Sequence, residues 1–278
     1  MGDDVHSDVI IVAHNAGHLL VESVASALDQ VRAGRVWVMD AESTDGSVDQ
    51  LAAFADRIDV VPVSNKGFAA ANNRGIEVSD SPLVMLLNPD AVLRPGALDS
   101  LMATAEANPR AGIIGSLILN PDGSVQANSF GRFPSLVQVL SLRLWRTIQR
   151  LRGNPRLSPA APAATKPVDW VSGAAMLVRR AAVQDVGPMD EGFFLYYEDT
   201  EWCHRMRDHG WDVLLEPMAQ TIHHRGGSAA SEGVVAAAYR ASFYRYCDLY
   251  GLWGLKASAR LWLAVRRRIG GLPDACSS

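Results

Sequence analysis

Three short stretches of the 278-residue chain put carboxylates where they could do chemistry. "VMDAESTDGS" (38–47) leads from an apolar run into Asp40, and Ser43-Thr44-Asp45-Gly46 then makes a turn or helix cap. "LVMLLNPDAVL" (83–93) is five apolar residues ending in Asn88-Pro89-Asp90, where Pro89 stops a strand ladder because it has no N–H to donate. "GFFLYYEDTEW" (192–202) sets Glu198 and Asp199 directly behind Phe193, Phe194, Tyr196 and Tyr197. A carboxylate at the mouth of an aromatic-lined pocket is partly desolvated and fixed in direction, as a general base against a sugar hydroxyl must be, and flat rings offer a surface for a sugar. Each stretch also has a plain alternative. Asp and Asn favour turns for local reasons, and Asp199 could be an N-cap with Glu198 in solvent. Two acidic corners on one sheet edge say more than either alone.

Between the first two corners lies "NKGFAAANNRGI" (65–76). Gly67 lets the backbone come close to a ligand, and the small residues after it allow tight helix–sheet packing. The amide-rich helix start can face a phosphate or a polar base. By itself it reads equally as a helix with a small-residue packing face.

These stretches need a scaffold, and the first half supplies one. Strand patterns at 8–13, 36–39, 59–63, 83–87 and 111–119 alternate with helix patterns at 18–28, 47–55, 67–78 and 95–108, the last opened by Pro95 at its first position. Such βαβα alternation predicts a mostly parallel, doubly wound sheet with right-handed crossovers. In such sheets ligands bind beyond the carboxyl ends of the strands, where Asp40, Asn88 and Asp90 fall. Order resumes at "VDWVSGAAMLVRR" (168–180) after a Pro/Ala-rich flexible stretch, 153–167. Residues 198–210 read as a helix with Asp199 near its N-cap and Gly210 past its end, and 234–269 as a helical tail.

Composition excludes several classes. The net charge of −4 gives no general attraction to nucleic acid or to an anionic membrane, so any basic partner site must be local. Cys203, Cys247 and Cys276 are scattered, without a CxxC pair, which argues against a disulfide framework or structural zinc. No GxGxxG follows the first strand, so a nicotinamide dehydrogenase is excluded. The acidic start "MGDDVHSD" is unlike a signal peptide, and no run approaches the ~20 apolar residues of a spanning helix. A cytoplasmic protein is expected, with the option of peripheral contact on the inner face of the cell membrane. Two basic, Trp-bearing segments, 136–152 and 256–268, could lie in a membrane interface or be solvated helices.

"VIIVAHN", "VMDAESTDGS", "NKGFAAANNRGI", "LLNPDAVL", "VSGAAMLVRR", "VGPMDEGFFLYYEDTEW" and "IHHRGGS" stand in the order and spacing of family 2 glycosyltransferases of the GT-A fold, which the chain resembles over roughly residues 8–228. It looks most similar to the bacterial branch containing rhamnosyltransferases of cell-wall and O-antigen assembly. The resemblance implies an α/β, Rossmann-like GT-A domain over 1–228, with a nucleotide-sugar half at 1–119 and an acceptor and catalytic half at 120–228. A C-terminal helical extension at 229–278 follows.

Roles follow from the same resemblance. Asp40 would contact the donor nucleoside, with Asn65, Gly67 and Asn72 lining its pocket. Asp90 stands at the metal-binding carboxylate of a DxD-type motif, with Asn88 in place of the first Asp, so Mg2+ or Mn2+ is implied. Asp199 matches the catalytic base, with Glu198 alongside. His223 matches the family's H-x-x-G-x-S histidine, which implies a ligand to the metal or the diphosphate, and is favoured over the adjacent His224 by motif spacing. Trp170, Gly173, Asp190 and Glu191 would shape the acceptor side. The departures are Ala41 and Glu42 for the usual Asn-Gly, Met189 for a Phe, Glu201 for an Asp, and His14 for a Tyr; none removes a carboxylate that the chemistry needs.

The implied reaction is inverting transfer of a sugar, L-rhamnose from dTDP-L-rhamnose as the best guess. The donor would be a dTDP- or UDP-linked sugar, and the acceptor a glycan or polyprenyl-diphosphate-linked saccharide. A non-catalytic nucleotide-sugar or carbohydrate-binding module is the alternative. A nucleotidyltransferase is disfavoured for want of a Gly-rich, basic N-terminal loop.

Overall fold

The computed structural model describes residues 6–135, 160–224 and 232–269. The basic segment 136–152, most of the Pro/Ala-rich stretch and residues 225–228 of "IHHRGGS" lie outside the described residues. The chain divides into two compact units. One comprises the described residues up to 133, 160–194 and 198–224; the other includes 195–197 and 232–269.

The first unit is built on a nine-stranded sheet. Its parallel half runs β3 (Ile58–Pro62), β2 (Ala33–Asp40), β1 (Ser7–Ala13) and β4 (Leu83–Leu87) side by side. β10 (Ala175–Arg179) follows antiparallel to β4 and to β6 (Ala111–Leu119), and β11 (Asp212–His223) lies parallel to β6. β5 (Ala91–Leu93) and β8 (Lys166–Pro167) pair antiparallel with β11. β7 (Phe130–Gly131) and β9 (Trp170–Val171) form a separate two-stranded ladder.

Strand alternation sorts the core into two layers. Val9, Ile11 and Ala13 of β1 with Leu83, Met85 and Leu87 of β4 face α1 (Leu19–Leu28) and α3 (Ala97–Ala107), whose Leu20, Val24, Leu98 and Leu101 close that side. Ile10, Val12, Val84 and Leu86 face the other way, toward α2 (Phe68–Val78), α4 (Arg180–Val186) and α5 (Glu198–Asp208) through Ala69, Ile76, Ala182, Trp202 and Met206. Strands covered on both faces read as continuous apolar runs, and Leu83–Leu87 is buried throughout. Two adjacent arginines close both layers at once. Arg179 donates to Ala105 O and Asn108 O at the end of α3 (2.7 and 3.3 Å), and Arg180 Nη1 donates to Ile76 O near the end of α2 (3.1 Å). Each supplies a cation and donors where helix carbonyls lack partners.

Several expected elements differ. The helix expected at 47–55 is a 3-10 helix, Asp49–Phe54. Pro95 does not open α3. Gly96, at φ 75°, turns the chain first, with Ala97 N donating to Arg94 O (3.0 Å). The corner after β4 leads into β5, a strand that pattern reading missed because three residues show no period. α5 begins at Glu198, so Asp199 sits in its first turn rather than at a cap. In the second unit the helical tail is two helices, α6 (Glu232–Leu249) and α7 (Trp253–Ile269), with Gly251 (φ 64°) between them. Tyr196 and Tyr197 of that unit both stand at φ 68°, a conformation costing on the order of 1–3 kcal/mol each. The Tyr197 and Tyr239 hydroxyls are 3.1 Å apart, and Ser242 Oγ donates to Leu195 O at 2.8 Å, so α6 holds the segment in place.

Gly75 is where α2 meets the sheet. A Cβ there would lie 2.4 Å from Cγ2 of Ile10, which is fully buried and β-branched. Gly75→Ala should therefore lower unfolding free energy by about 1–3 kcal/mol through overpacking, read as a lower urea midpoint. An unchanged midpoint would mean that α2 does not press on β1 this closely.

Candidate functional site

The first corner is knitted from two loops. Asp40, paired with Ala13 at the end of β2, accepts from Ser43 N through Oδ1 (3.0 Å). Asn15, at φ 50°, accepts from Thr44 N (2.8 Å), and Gly17 N donates to Asp45 Oδ2 (2.9 Å). Bonds from the Ser47 hydroxyl and amide, ahead of the Gly17 bond, pull the Asp45 carboxyl below its ordinary value. His14 Nδ1 lies 2.7 Å from Ala41 O, an acceptor, so Nδ1 carries the proton and Nε2 is left to accept. The Asn65 amide sits 3.4 Å from that ring. Asp40, His14 and Asn65 thus line one polar hollow beyond β1 and β2.

Two residues expected in that hollow are placed otherwise. Asn72 is buried, and its amide donates to Phe68 O (3.0 Å) inside α2. Gly67 (φ 106°) does allow a close approach, but its neighbour is the backbone of Phe194. A Cβ would stand 2.4 Å from Phe194 O, which also accepts from Phe68 N (2.9 Å). Phe194 is therefore buttoned to the start of α2. Asn73, absent from the motif-based set, makes the second fastening: its side chain accepts from Met189 N and donates to Met189 O and Glu191 Oε1, all at 3.0 Å. Asp190 Oδ1 accepts from Gly192 N (2.8 Å) and shapes the same loop. Trp170 Nε1 donates to Arg132 O (3.1 Å), fixing the indole against β7.

The second corner gathers three groups. Asn88, Asp90 and His223 meet where the end of β4 faces the end of β11: His223 Nε2 lies 3.3 Å from the Asn88 amide nitrogen and 3.2 Å from Asp90 Oδ1. His224 N donates to Asp90 O (3.0 Å), so the main chain of the neighbouring histidine helps hold the corner. Gln126, buried and also missed in the sequence, orients the ring. Its Nε2 donates to Asn120 Oδ1 (3.0 Å) and His223 O (3.1 Å), which points Oε1 at His223 Nδ1 (2.8 Å). Nδ1 then carries a proton, and Nε2 faces a carboxylate oxygen. Two acceptors 3.2 Å apart repel unless a cation or proton lies between them. Asn88 Oδ1 is buried beside them without a hydrogen-bond partner. No group of three or more His, Cys, Asp or Glu side chains is placed to hold a metal ion among the described residues. Two such ligands with an amide oxygen nonetheless suit a hard cation that takes its remaining oxygens from phosphate.

The third corner is tied to the second by two residues of main chain. Gly173 N donates to Asp199 Oδ2 (2.9 Å), and Ala174 O accepts from Asn88 N (2.9 Å). Two Cα spacings and two hydrogen bonds keep the Asp199 carboxylate within roughly 13 Å of Asn88. Asp40 lies two strands from β4, about 10 Å at ordinary strand spacing. The structure thus brings Asp40, Asn65, Asn88, Asp90, His223, Gly173 and Asp199 to one sheet edge.

Asp199 is half-buried, and both of its carboxylate oxygens accept hydrogen bonds. Thr200 N donates to Oδ1 (2.6 Å), and desolvation raises the carboxyl's pKa against the pull of the bonds from Gly173 and Thr200. Glu198 is buried rather than solvated, and its Oε2 has no partner. Burial, then the Asp199 charge, pushes its carboxyl well above the ordinary range. A raised folded-state pKa gives stability that is fully present below the unfolded glutamate value of ~4.3 and lost as pH rises through the folded value. Glu198→Gln should therefore melt higher than wild type at neutral and alkaline pH, the gap narrowing as pH falls toward that value. A gap independent of pH in thermal melts would contradict this account of Glu198.

Residues 8–186 match the family model "Glycosyl transferase family 2". The chain is 31% identical, over an alignment 288 positions long, to N-acetylglucosaminyl-diphospho-decaprenol L-rhamnosyltransferase of Mycobacterium tuberculosis, covering 94% of this chain and 91% of that one. It is 26% identical to rhamnosyltransferase WbbL of Escherichia coli over 52% of this chain and 53% of that protein. A crystal structure of GalNAc-T7 with UDP, GalNAc and Mn2+ shares the fold at TM-score 0.63 and 15% identity, over 89% of this chain and 48% of that one. The GT-A architecture expected from the motifs is thereby borne out, and the chain belongs to glycosyl transferase family 2 as a glycosyltransferase.

Proposed function

We propose that this glycosyltransferase moves L-rhamnose from dTDP-L-rhamnose, with inversion, to a saccharide carried on a polyprenyl diphosphate. What carries the reading is the Gly173-Ala174 bridge, which holds Asp199 across from the Asn88–Asp90 corner. The long similarity to an N-acetylglucosaminyl-diphospho-decaprenol L-rhamnosyltransferase favours this donor and acceptor class. Peripheral contact with the membrane that carries such an acceptor belongs to the same reading.

Asp40 and Asn65 receive the nucleoside in the hollow beyond β1 and β2, which leaves the diphosphate to extend toward β4. Asp90 and His223, with Asn88, would hold Mg2+ or Mn2+ there. That ion supplies Lewis-acid stabilisation of the charge growing on the departing nucleoside diphosphate. Gln126 keeps the His223 Nε2 lone pair turned inward. On the opposite side, Asp199 takes the proton of the acceptor hydroxyl as that oxygen attacks the anomeric carbon. Gly173 N uses one lone-pair site of Oδ2 and leaves another for that hydroxyl. Desolvation makes Asp199 the stronger base, while its hydrogen bonds work against that rise and favour the charged form. Glu198, buried and disposed to hold its proton, adds no second negative charge beside it. A single displacement inverts the anomeric configuration.

Asp199→Asn should cut transfer by about 10²–10⁴-fold while leaving donor binding intact, measured as product formation beside donor calorimetry. Near wild-type turnover would remove Asp199 from the role of base. Asp90→Ala should weaken dTDP-L-rhamnose binding at least about ten-fold with Mn2+ present, and by much less without it. Equal losses in both calorimetric titrations would mean that Asp90 does not act through a cation.

A further inference from the structure

α6 and α7 enclose a recess of about 250 Å³ lined by Arg240, Tyr244, Arg260, Leu263 and Ala264. Helical spacing builds it: Arg240 and Tyr244 are one turn apart on α6, as are Lys256 and Arg260 on α7. The Arg260 guanidinium lies 5.2 Å from the centre of the Tyr244 ring, which holds it broadside without neutralising it. Lys256 is paired with Asp248, but neither Arg240 nor Arg260 has a carboxylate partner among the described residues. Two uncompensated guanidinium groups at one recess form an anion site, and their planar forks suit phosphate oxygens.

The surroundings say where the phosphate comes from. α7 carries one lysine and four arginines and no acidic residue, in a chain whose net charge is −4. Trp253 and Leu261, eight residues apart on one face of that helix, are 73% and 67% exposed, and Trp262 is 38% exposed. A free anion needs no such apolar neighbours. A bilayer surface uses both, with headgroup phosphates for the arginines and the acyl boundary for Trp and Leu. The geometry points to this recess as a seat for the phosphate of an anionic membrane lipid, with α7 lying along the bilayer surface. This deepens the peripheral contact in the reading above and rests on it only for the presence of a membrane near the acceptor.

The test is co-sedimentation of the full chain with vesicles of phosphatidylcholine alone, or of phosphatidylcholine mixed with phosphatidylglycerol. Wild type should bind the anionic vesicles, progressively less as salt rises, and leave the neutral ones. R240Q/R260Q should bind about 30-fold more weakly, roughly five-fold for each cation removed. Arg260 is exposed, so Arg260→Glu offers the same loss should the double variant melt below wild type. Inorganic phosphate at millimolar concentration should leave vesicle binding unchanged. Wild type ignoring anionic vesicles, charge-removed variants sedimenting as wild type, or displacement by inorganic phosphate would each overturn the lipid assignment. Binding is read without donor or acceptor, and R240Q/R260Q should still rhamnosylate a water-soluble acceptor at the wild-type rate. Failure of the lipid seat is therefore separable from failure of the transferase reading.

Discussion

The arrangement depends on two peptide groups. Gly173 N and Ala174 O, just ahead of β10, point to opposite sides and bind the Asp199 carboxylate and the Asn88 amide. That is possible because β10 runs antiparallel between β4 and β6, so its beginning meets the carboxyl end of β4. A wholly parallel sheet would have delivered that backbone to the opposite edge. The one reversed strand is what sets a carboxylate from a distant helix beside a corner made by strand ends. Gly173 itself is confined, since a Cβ would lie 3.1 Å from the Phe68 ring.

Charge at the site is arranged by burial as much as by pairing. Asp199 is desolvated but held by three donor groups, which fix the direction of its carboxylate. Glu198, one residue away, is buried with an oxygen that nothing satisfies, and the low-dielectric setting favours its neutral form. Adjacent carboxyls are thus pushed unequally by their surroundings. At the second corner the same logic runs through Gln126, whose fixed amide selects which nitrogen of His223 faces Asp90. An orphaned Asn88 oxygen beside an acceptor pair is a costly arrangement in an otherwise well-satisfied core, and such costs collect where a ligand will relieve them.

Much of this was legible in the amino-acid order. Leu83–Leu87 and Ala111–Leu119 stand at the bounds their apolar runs suggest, because continuous burial leaves a signal that no neighbour alters. Asp40, Asn88 and Asp90 could be assigned to one edge because strand ends and turn residues are local features. What escaped was long-range. Nothing near Gly67 announces Phe194, and nothing near Asn73 or Gln126 announces partners about a hundred residues away. Asn72 shows the converse: a polar residue in the right motif can spend its amide on its own helix. Short elements such as Ala91–Leu93 carry too few residues to display a period.

The consecutive arginines at the end of β10 carry a last consequence. Arg179 ends β10 and Arg180 opens α4, and this one dipeptide terminates a helix above the sheet and another below it. Sliding that strand by a single residue would aim each guanidinium at the wrong face and strand two sets of carbonyls together. The pair acts as a keyed lock on alignment, so the interposed strand has one admissible setting, and the spacing of the reactive groups inherits its tolerance from that key.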